Sequence, residues 1–347
     1  MAARAHEHKL SIHDVASEAK VSIATVSRVI NGKDRVAPET RKRVQSAMRR
    51  LGFRPNRQAR SLGLRRTNTI GLVLPDFTGE FFPELMQGVD LAARESGMNV
   101  MVLRATSAEE EQAITEDLLG SGAVDGLIFL ISQLDDRAVN ALAAHKGHLL
   151  VIDRDVGHLG IDNVLVDNRS AGHDACRHLI EEAAATRIFF IGGPRDNVDT
   201  KDRLEGCREA CRALGRELRE DSCHFTGYRH EEAVELFRAL LEVEQPGPGE
   251  RWGVVAANDN LARGVVDVAL DAGLTVPGHV AVVGFDDSTL ARLGRPRLSS
   301  VRVPLQELGR TALCLLRDRL RGLRIEPSCI VFRGRLIPRA SSQPFPG

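Results

Sequence analysis

Residues 21–32 read VSIATVSRVING, and this stretch decides how the first part of the chain folds. Val26, Val29 and Ile30 recur at helical spacing, and Ser22 supplies the hydroxyl a helix start favours. Asn31-Gly32 ends the segment with two residues that tolerate positive φ. The spacing therefore predicts a helix from about Ser22 to Ile30, with Val21 packed against its entry. Upstream, Ser11 and Asp14 form a capping-box pair, and Ile12, Val15, Ala16 and Ala19 give one apolar face over about two turns. Downstream, Pro38 opens a third helix with inward positions Val44, Ala47, Met48 and Leu51, stopped by Gly52.

Only the turn at Lys20-Val21 separates the first two helices, which is the spacing of a helix-turn-helix. In that motif the second helix enters the major groove and its N-terminal residues face the bases. The DNA-facing set is then Ser22, Ile23, Ala24, Thr25, Ser27, Arg28 and Asn31. Arg28 has the planar fork that can bond guanine O6 and N7 together. Ile23 and Ala24 offer only apolar contact, for example to a thymine methyl. Thr25, Ser27 and Asn31 are placed to bond phosphates, which fixes register without reading sequence. A generic three-helix interaction domain would share the helix pattern.

Charge separates the two readings. The 347-residue chain is neutral overall, with 47 Lys+Arg and 47 Asp+Glu, yet residues 1–66 hold 16 basic against 5 acidic side chains. A basic arm beside an acidic body is the distribution expected of a nucleic-acid binder, although a solvated basic face gives the same count. The length predicts more than one domain. No stretch has the long apolar run of a membrane span, and MAARAHEHKL lacks a signal-peptide core, so a cytoplasmic location, on the nucleoid when DNA is bound, is expected. All six cysteines lie beyond residue 170, with no C-x-x-C and no histidine at ligand spacing. Buried thiols are expected, with no metal and no cofactor.

Asn56 could cap a helix of about six residues ahead of Arg66, too short to stand alone because nucleation is costly. The segment 56–67 reads as a hinge that folds only against a partner. Leu62 is an apolar residue in this basic stretch, which is odd for a plain linker; packing on the body is the alternative.

From Thr69 the pattern changes. Apolar runs at Ile70–Leu74, Val100–Leu103, Gly126–Leu130, Leu149–Ile152, Arg187–Ile191, Val254–Ala256 and Val280–Phe285 alternate with helical stretches. These include Phe82–Ser96, Ala108–Leu119, Ala171–Glu182, Lys201–Leu214 and Asn260–Ala272. Such alternation implies parallel sheets covered on both faces, and the length suits two of them. Ligands of open α/β sheets bind beyond the carboxyl ends of the strands. Asp76, Asp153-Arg154, Arg203, Asn258 and Asp286 follow strands, with Phe82 and Tyr228 expected nearby. Carboxylates accept and guanidinium groups donate bonds to vicinal hydroxyls, while rings cover the apolar faces of a sugar. Taken singly, each of these residues also fits a helix cap or a strand-end ion pair.

Two sets of motifs carry a resemblance. The first is Asp14-Val15-Ala16, Val21-Ser22, Ala24–Gly32, Thr40-Arg41, Leu51–Asn56 and Ala59–Leu62. The second is Asp153-Arg154, Val166–Asn168, Ile191–Pro194, Arg203–Gly206, Asn258-Asp259 and Gly284–Asp287. Together they resemble the lactose-repressor (LacI/GalR) family over nearly the whole chain. The resemblance implies an α+α/β fold: a helix-turn-helix domain at 9–55, the hinge at 56–67, and a periplasmic-binding-protein-like sensor at 68–341. The sensor would divide into 68–168 with 303–334 and 169–301 with 335–341, joined by crossings near Asn168, Arg302 and Arg335. It also implies that Asn56, Ala59 and Leu62 contact DNA, Leu62 as a minor-groove wedge. Asp153, Arg203, Asn258 and Asp286 would hold ligand hydroxyls, Phe82 and Tyr228 would stack, and Asn197 and Asp199 would lie on the ligand-facing loop. Gly63, Asp199 and Val303 depart from the pattern, Asp199 by adding a carboxylate where small hydroxyl residues are common.

The expected protein is a repressor that binds a near-palindromic operator as a homodimer and is released by a sugar-like inducer. Alternatives are a corepressor-dependent regulator, a sugar-processing enzyme using Asp153 and Asp286, and a transport binding protein. The last lacks a reason for the basic module.

Overall fold

The computed structural model describes residues 10–30, 36–53, 66–75, 81–130 and 143–343. Asn31, Asn56, Ala59, Leu62 and Asp76 lie outside the described residues. The chain divides between Thr67 and Asn68 into two compact units.

The first unit holds α1 (Ile12–Ala19), α2 (Ile23–Ile30) and α3 (Pro38–Leu51). Asp14 accepts hydrogen bonds of 2.8 Å from both the amide and the hydroxyl of Ser11, fixing the start of α1. Lys20 takes the left-handed conformation at φ 52°, which turns the chain at once into α2. Gly52 ends α3 at φ 66°, where a glycine has no Cβ to strain. Val15, Ala16, Ala19, Val26, Val29, Val44 and Ala47 form the shared core.

The second unit contains two six-stranded sheets. The first is built from β1 (Thr69–Leu74), β2 (Asn99–Arg104), β3 (Gly126–Leu130), β4 (Leu149–Ile152), β5 (Asp162–Val166) and β11 (Cys329–Phe332). Its order is β11-β5-β4-β3-β1-β2, parallel throughout. The second is built from β6 (Arg187–Gly192), β7 (Cys223–Phe225), β8 (Trp252–Ala256), β9 (Val280–Phe285), β10 (Ser299–Arg302) and β12 (Arg335–Ile337). Its order is β12-β10-β9-β8-β6-β7, with only the β12 edge antiparallel. The central strands β3, β4, β8 and β9 are buried at every residue, as strands covered on both faces must be. The chain passes between the sheets three times, after β5, after β10 and after β11.

Helices cover both sheets. On the first lie α4 (Phe81–Ser96), α5 (Ala108–Gly120) and α11 (Leu305–Leu320). On the second lie α6 (Asn168–Glu181), α7 (Val198–Ala213), α8 (His230–Val243), α9 (Asp259–Asp271) and α10 (Thr289–Leu293). Among the described residues no helix is long and apolar enough to cross a membrane.

Each sheet has a helix pair in close backbone contact, the second sheet also having α8 against Gly264 of α9, and glycine allows it. A Cβ on Gly88 of α4 would collide with the Gln306 carbonyl of α11, and one on Gly309 with the Leu85 carbonyl of α4. Likewise, Gly172 of α6 meets the Arg203 carbonyl of α7, and Gly206 meets that of Arg169. The six cysteines are all unbridged; Cys207 and Cys211 are buried on α7, and Cys211 Sγ stands 3.6 Å from Cys176 Sγ.

The Gly88 contact makes a direct prediction. Gly88→Ala must push α11 from α4 and should lower stability by about 1–3 kcal/mol. Gly120→Ala, at a position with open space, should be neutral or stabilising by up to about 1 kcal/mol. Chemical denaturation of the two variants checks this; equal effects would mean that the α4–α11 contact yields without cost.

Candidate functional site

In α2 the Ser22 hydroxyl accepts from the Thr25 amide at 3.2 Å and shares a 2.9 Å hydrogen bond with the Thr25 hydroxyl. Ser22 is thus a working cap, and Thr25 is tied to it. Val26 and Val29 point into the core, so Ile23, Ala24 and Arg28 are left facing outward, with Ser27 half-buried beside them. Ile23 keeps 41 % of its surface exposed, a large value for an apolar residue at a helix start.

The second feature lies at the carboxyl ends of the two sheets. Seven non-glycine residues have positive φ among the described residues, and four of them are here: Asp153, Tyr228, Asp286 and Asp287. Aspartate tolerates that conformation better than most side chains, yet it still costs energy, and such residues gather at functional sites. Asp153 follows β4 of the first sheet; Asp286 and Asp287 follow β9 of the second.

Arg203, only 5 % exposed, is the cation of the cluster. Its Nε donates to Asn168 Oδ1 at 2.8 Å, its Nη1 donates to the Ala257 carbonyl, and its Cζ stands 4.4 Å from the Phe285 ring centroid. Asn168 completes a relay by donating from Nδ2 to Asp199 Oδ1 at 2.9 Å. Sequence reading marks Asn168 as a crossing point but not as this bridge.

Other expected ligand residues turn out to hold the wall. Asn197 Oδ1 accepts from the Thr200 amide and from the Tyr228 hydroxyl, both at 2.9 Å. Its oxygen is thereby committed to capping α7 and anchoring Tyr228. The Tyr228 ring lies so close to Gly193 that a Cβ there would fall inside it. Its hydroxyl also meets Thr200 Oγ1 at 2.8 Å, and burial pushes its pKa up to about 12. Asn258 caps α9 through the Leu261 amide at 2.9 Å and donates to the Tyr228 carbonyl at 3.1 Å. Phe82 packs with the first sheet's core, edge to face with Phe81 at 5.3 Å. Arg154 follows Asp153, half-buried.

Asp287 differs from its neighbour Asp286. It is 1 % exposed, pairs with Arg302 at 2.6 Å and Arg339 at 2.5 Å, and its amide donates to Ser300 Oγ at 2.9 Å. It ties the end of β9 to the crossing after β10, a part sequence reading missed.

The remaining acids are in electrostatic conflict. Asp153 is 6 % exposed, and its Oδ1 has no hydrogen-bond partner among the described residues. Burial holds its pKa well above the carboxylate range; Asp199 and Asp286 push it further up, and Arg203 opposes them. Asp199 is raised by burial, with Arg203 opposing and Asp202 assisting. Asp259, behind them, is raised to about 7 by burial and by Asp286. Among the described residues no three His, Cys, Asp or Glu side chains are arranged to hold a metal.

A carboxyl whose folded pKa lies above its unfolded one costs stability when ionised, and the cost vanishes below the unfolded value of about 4. Asp199→Asn keeps the acceptor for Asn168 and removes the charge. It should raise the melting temperature at pH 7 by a few degrees, on the order expected for a gain near 1 kcal/mol. The gain should disappear as the pH falls to about 4. A lower melting temperature at pH 7 would show that the charge stabilises the cleft.

Comparison with known proteins follows the same division of the chain. Residues 11–56 match the family described as bacterial regulatory proteins, lacI family, and residues 176–342 match the periplasmic binding protein-like domain. The HTH-type transcriptional regulator CelR of Thermobifida fusca is 35 % identical over 339 residues, covering 94 % of this chain and 96 % of that protein. A solved CelR–cellobiose complex is 33 % identical with a TM-score of 0.71, covering 96 % of this chain and all of that one. A lac repressor dimer bound to operator and the anti-inducer ONPF shares the fold at a TM-score of 0.86 and 23 % identity, covering 96 % and 99 % of the two chains. With a helix-turn-helix, a two-sheet sensor and full-length relatives of this similarity, the chain belongs to the lacI family of bacterial transcriptional regulators.

Proposed function

We propose that this protein is a cytoplasmic repressor that binds a near-palindromic operator as a homodimer and releases it when a small polyhydroxylated effector fills the cleft. One observation carries the sensor half of this reading: Asp153, from the first sheet, is buried with Oδ1 unpartnered among the described residues, and it feels the charges of Asp199, Arg203 and Asp286 from the second. A ligand that bonds to both sides favours the closed arrangement, and by linkage it shifts operator affinity by the factor that operator shifts its own. Support comes from CelR, whose structure holds cellobiose, and from the lac repressor dimer, which holds operator and anti-inducer. The family relatives are regulators, and we assign no catalytic residue.

In the DNA-binding half, Arg28 reads a guanine, Ile23 and Ala24 make apolar base contacts, and Ser22, Thr25 and Ser27 set register on phosphates. Operator affinity should fall linearly on a log–log salt plot, because several phosphate contacts release counterions. Arg28→Ala should cost about 1–3 kcal/mol and relax discrimination at one base pair. Fluorescence anisotropy on an operator selected from random duplexes checks both. A flat salt response would remove the DNA-binding reading, and an equal loss on all sequences would make Arg28 a phosphate contact. A thermal-shift panel of pentoses, hexoses, nucleosides and phosphosugars, followed by operator binding with each hit, tests the effector half; turnover of a hit would replace the repressor with an enzyme.

A further inference from the structure

The charge of the cleft narrows the class of effector. Asp153 meets the like charges of Asp199 and Asp286 with Arg203 as the opposing cation, and that guanidinium already serves Asn168, the Ala257 carbonyl and the Phe285 face. Asp199 has a partial remedy, since it sits in the first turn of α7, where the helix dipole favours an anion, and accepts from Asn168. Asp153 has none in the cluster: it is 94 % buried by its 6 % exposure, and Oδ1 has no hydrogen-bond partner among the described residues. A buried carboxylate in this position needs a proton or a cation. A neutral sugar hydroxyl can donate one bond but brings no charge. A protonated amine is donor-only, makes up to three charge-assisted bonds and cancels the surplus.

We propose that the effector is an amine-bearing polyol of the amino-sugar class, its ammonium shared by Asp153 and Asp199 and its hydroxyls held by Arg203 and Asp286. This rests on the reading of the cleft as the effector site. It also gives Asp199, the residue that departs from the family pattern, the work of selecting charge. The elevated proton affinity of Asp153 fits, since the ligand-free cleft would hold a proton there that an arriving cation displaces.

The experiment is calorimetric titration of the full-length protein with matched sets: glucosamine, galactosamine and mannosamine, each with its parent hexose and its N-acetyl derivative. An amine member should bind about tenfold tighter than both neutral members of its set, the difference expected between a charged and a neutral hydrogen-bond donor. Its heat should vary with buffer ionisation enthalpy in the sense of proton release, and the preference should collapse in Asp199→Asn. A neutral member binding as tightly as the amine, or a neutral polyol from the wider panel binding when no amine does, overturns the amine assignment and leaves the sensor reading intact. Binding of an amine with undiminished preference in Asp199→Asn also overturns it. If no polyol of any kind binds, the sensor reading itself fails, and the amine assignment with it.

Discussion

The buried guanidinium of Arg203 is the constraint around which the sensor is arranged. A charge with almost no water left must be given hydrogen bonds, and each partner it takes fixes another part of the fold. Asn168 stands at the first passage between the sheets, Ala257 follows β8, and Phe285 ends β9. One side chain thereby registers the crossing segment against two central strands. Its own position depends on the approach of α6 to α7, where Gly172 leaves room for the Arg203 carbonyl and Gly206 for that of Arg169. A methyl group at either glycine would move the cation, so the ligand cleft and the helix packing share one tolerance.

The two sides of the cleft are not built alike. On the second sheet, Asn197, Thr200, Tyr228 and Asn258 hold one another through hydrogen bonds of 2.8–3.1 Å, so that wall is preorganised. On the first sheet, Asp153 has its amide bonded to the Val164 carbonyl at 3.0 Å while its carboxyl oxygen waits. Asp287, clamped by Arg302 and Arg339, sits where the second passage leaves β10. A rigid wall facing an unsatisfied acceptor, with a clamp at the connection, is an arrangement that a ligand can complete.

Much of this was legible in the residues because parallel strands announce themselves as apolar runs. Gly126–Leu130, Leu149–Ile152 and Val280–Phe285 are strands over the residues the hydropathy pattern marks. The three-residue strands Cys223–Phe225 and Arg335–Ile337 are too short to show a period, and β11, an edge strand of alternating exposure, is indistinct from a loop. The acids after strands were visible as candidates through the rule that ligands bind at carboxyl ends. What could not be read was the commitment of each polar group. Asn197 and Asn258 each stand three residues before the amide they cap, a signal present in the sequence but shared with any helix start. The left-handed backbone at Asp153 and Asp286, by contrast, has no sequence signature.

The cluster of buried Asp153 with half-buried Asp199 and Asp286 sets stability against function. A protein selected for stability alone would replace one of these acids, since like charges with little water between them repel. Local choices elsewhere agree with the global fold: the Ser11–Asp14 pair starts a helix, Gly52 ends one, and glycines stand where helices touch. Glu111 on α5 is likewise buried, with Oε2 unpartnered among the described residues and its pKa raised to about 7 by burial, but only in the cleft do several acids act on one another, and conflicts of that kind gather at functional sites. The sign of the conflict specifies the partner's chemistry. A cleft short of donors and overfull of negative charge is complementary to a ligand rich in donors and positive, and a neutral ligand would leave the strain in place.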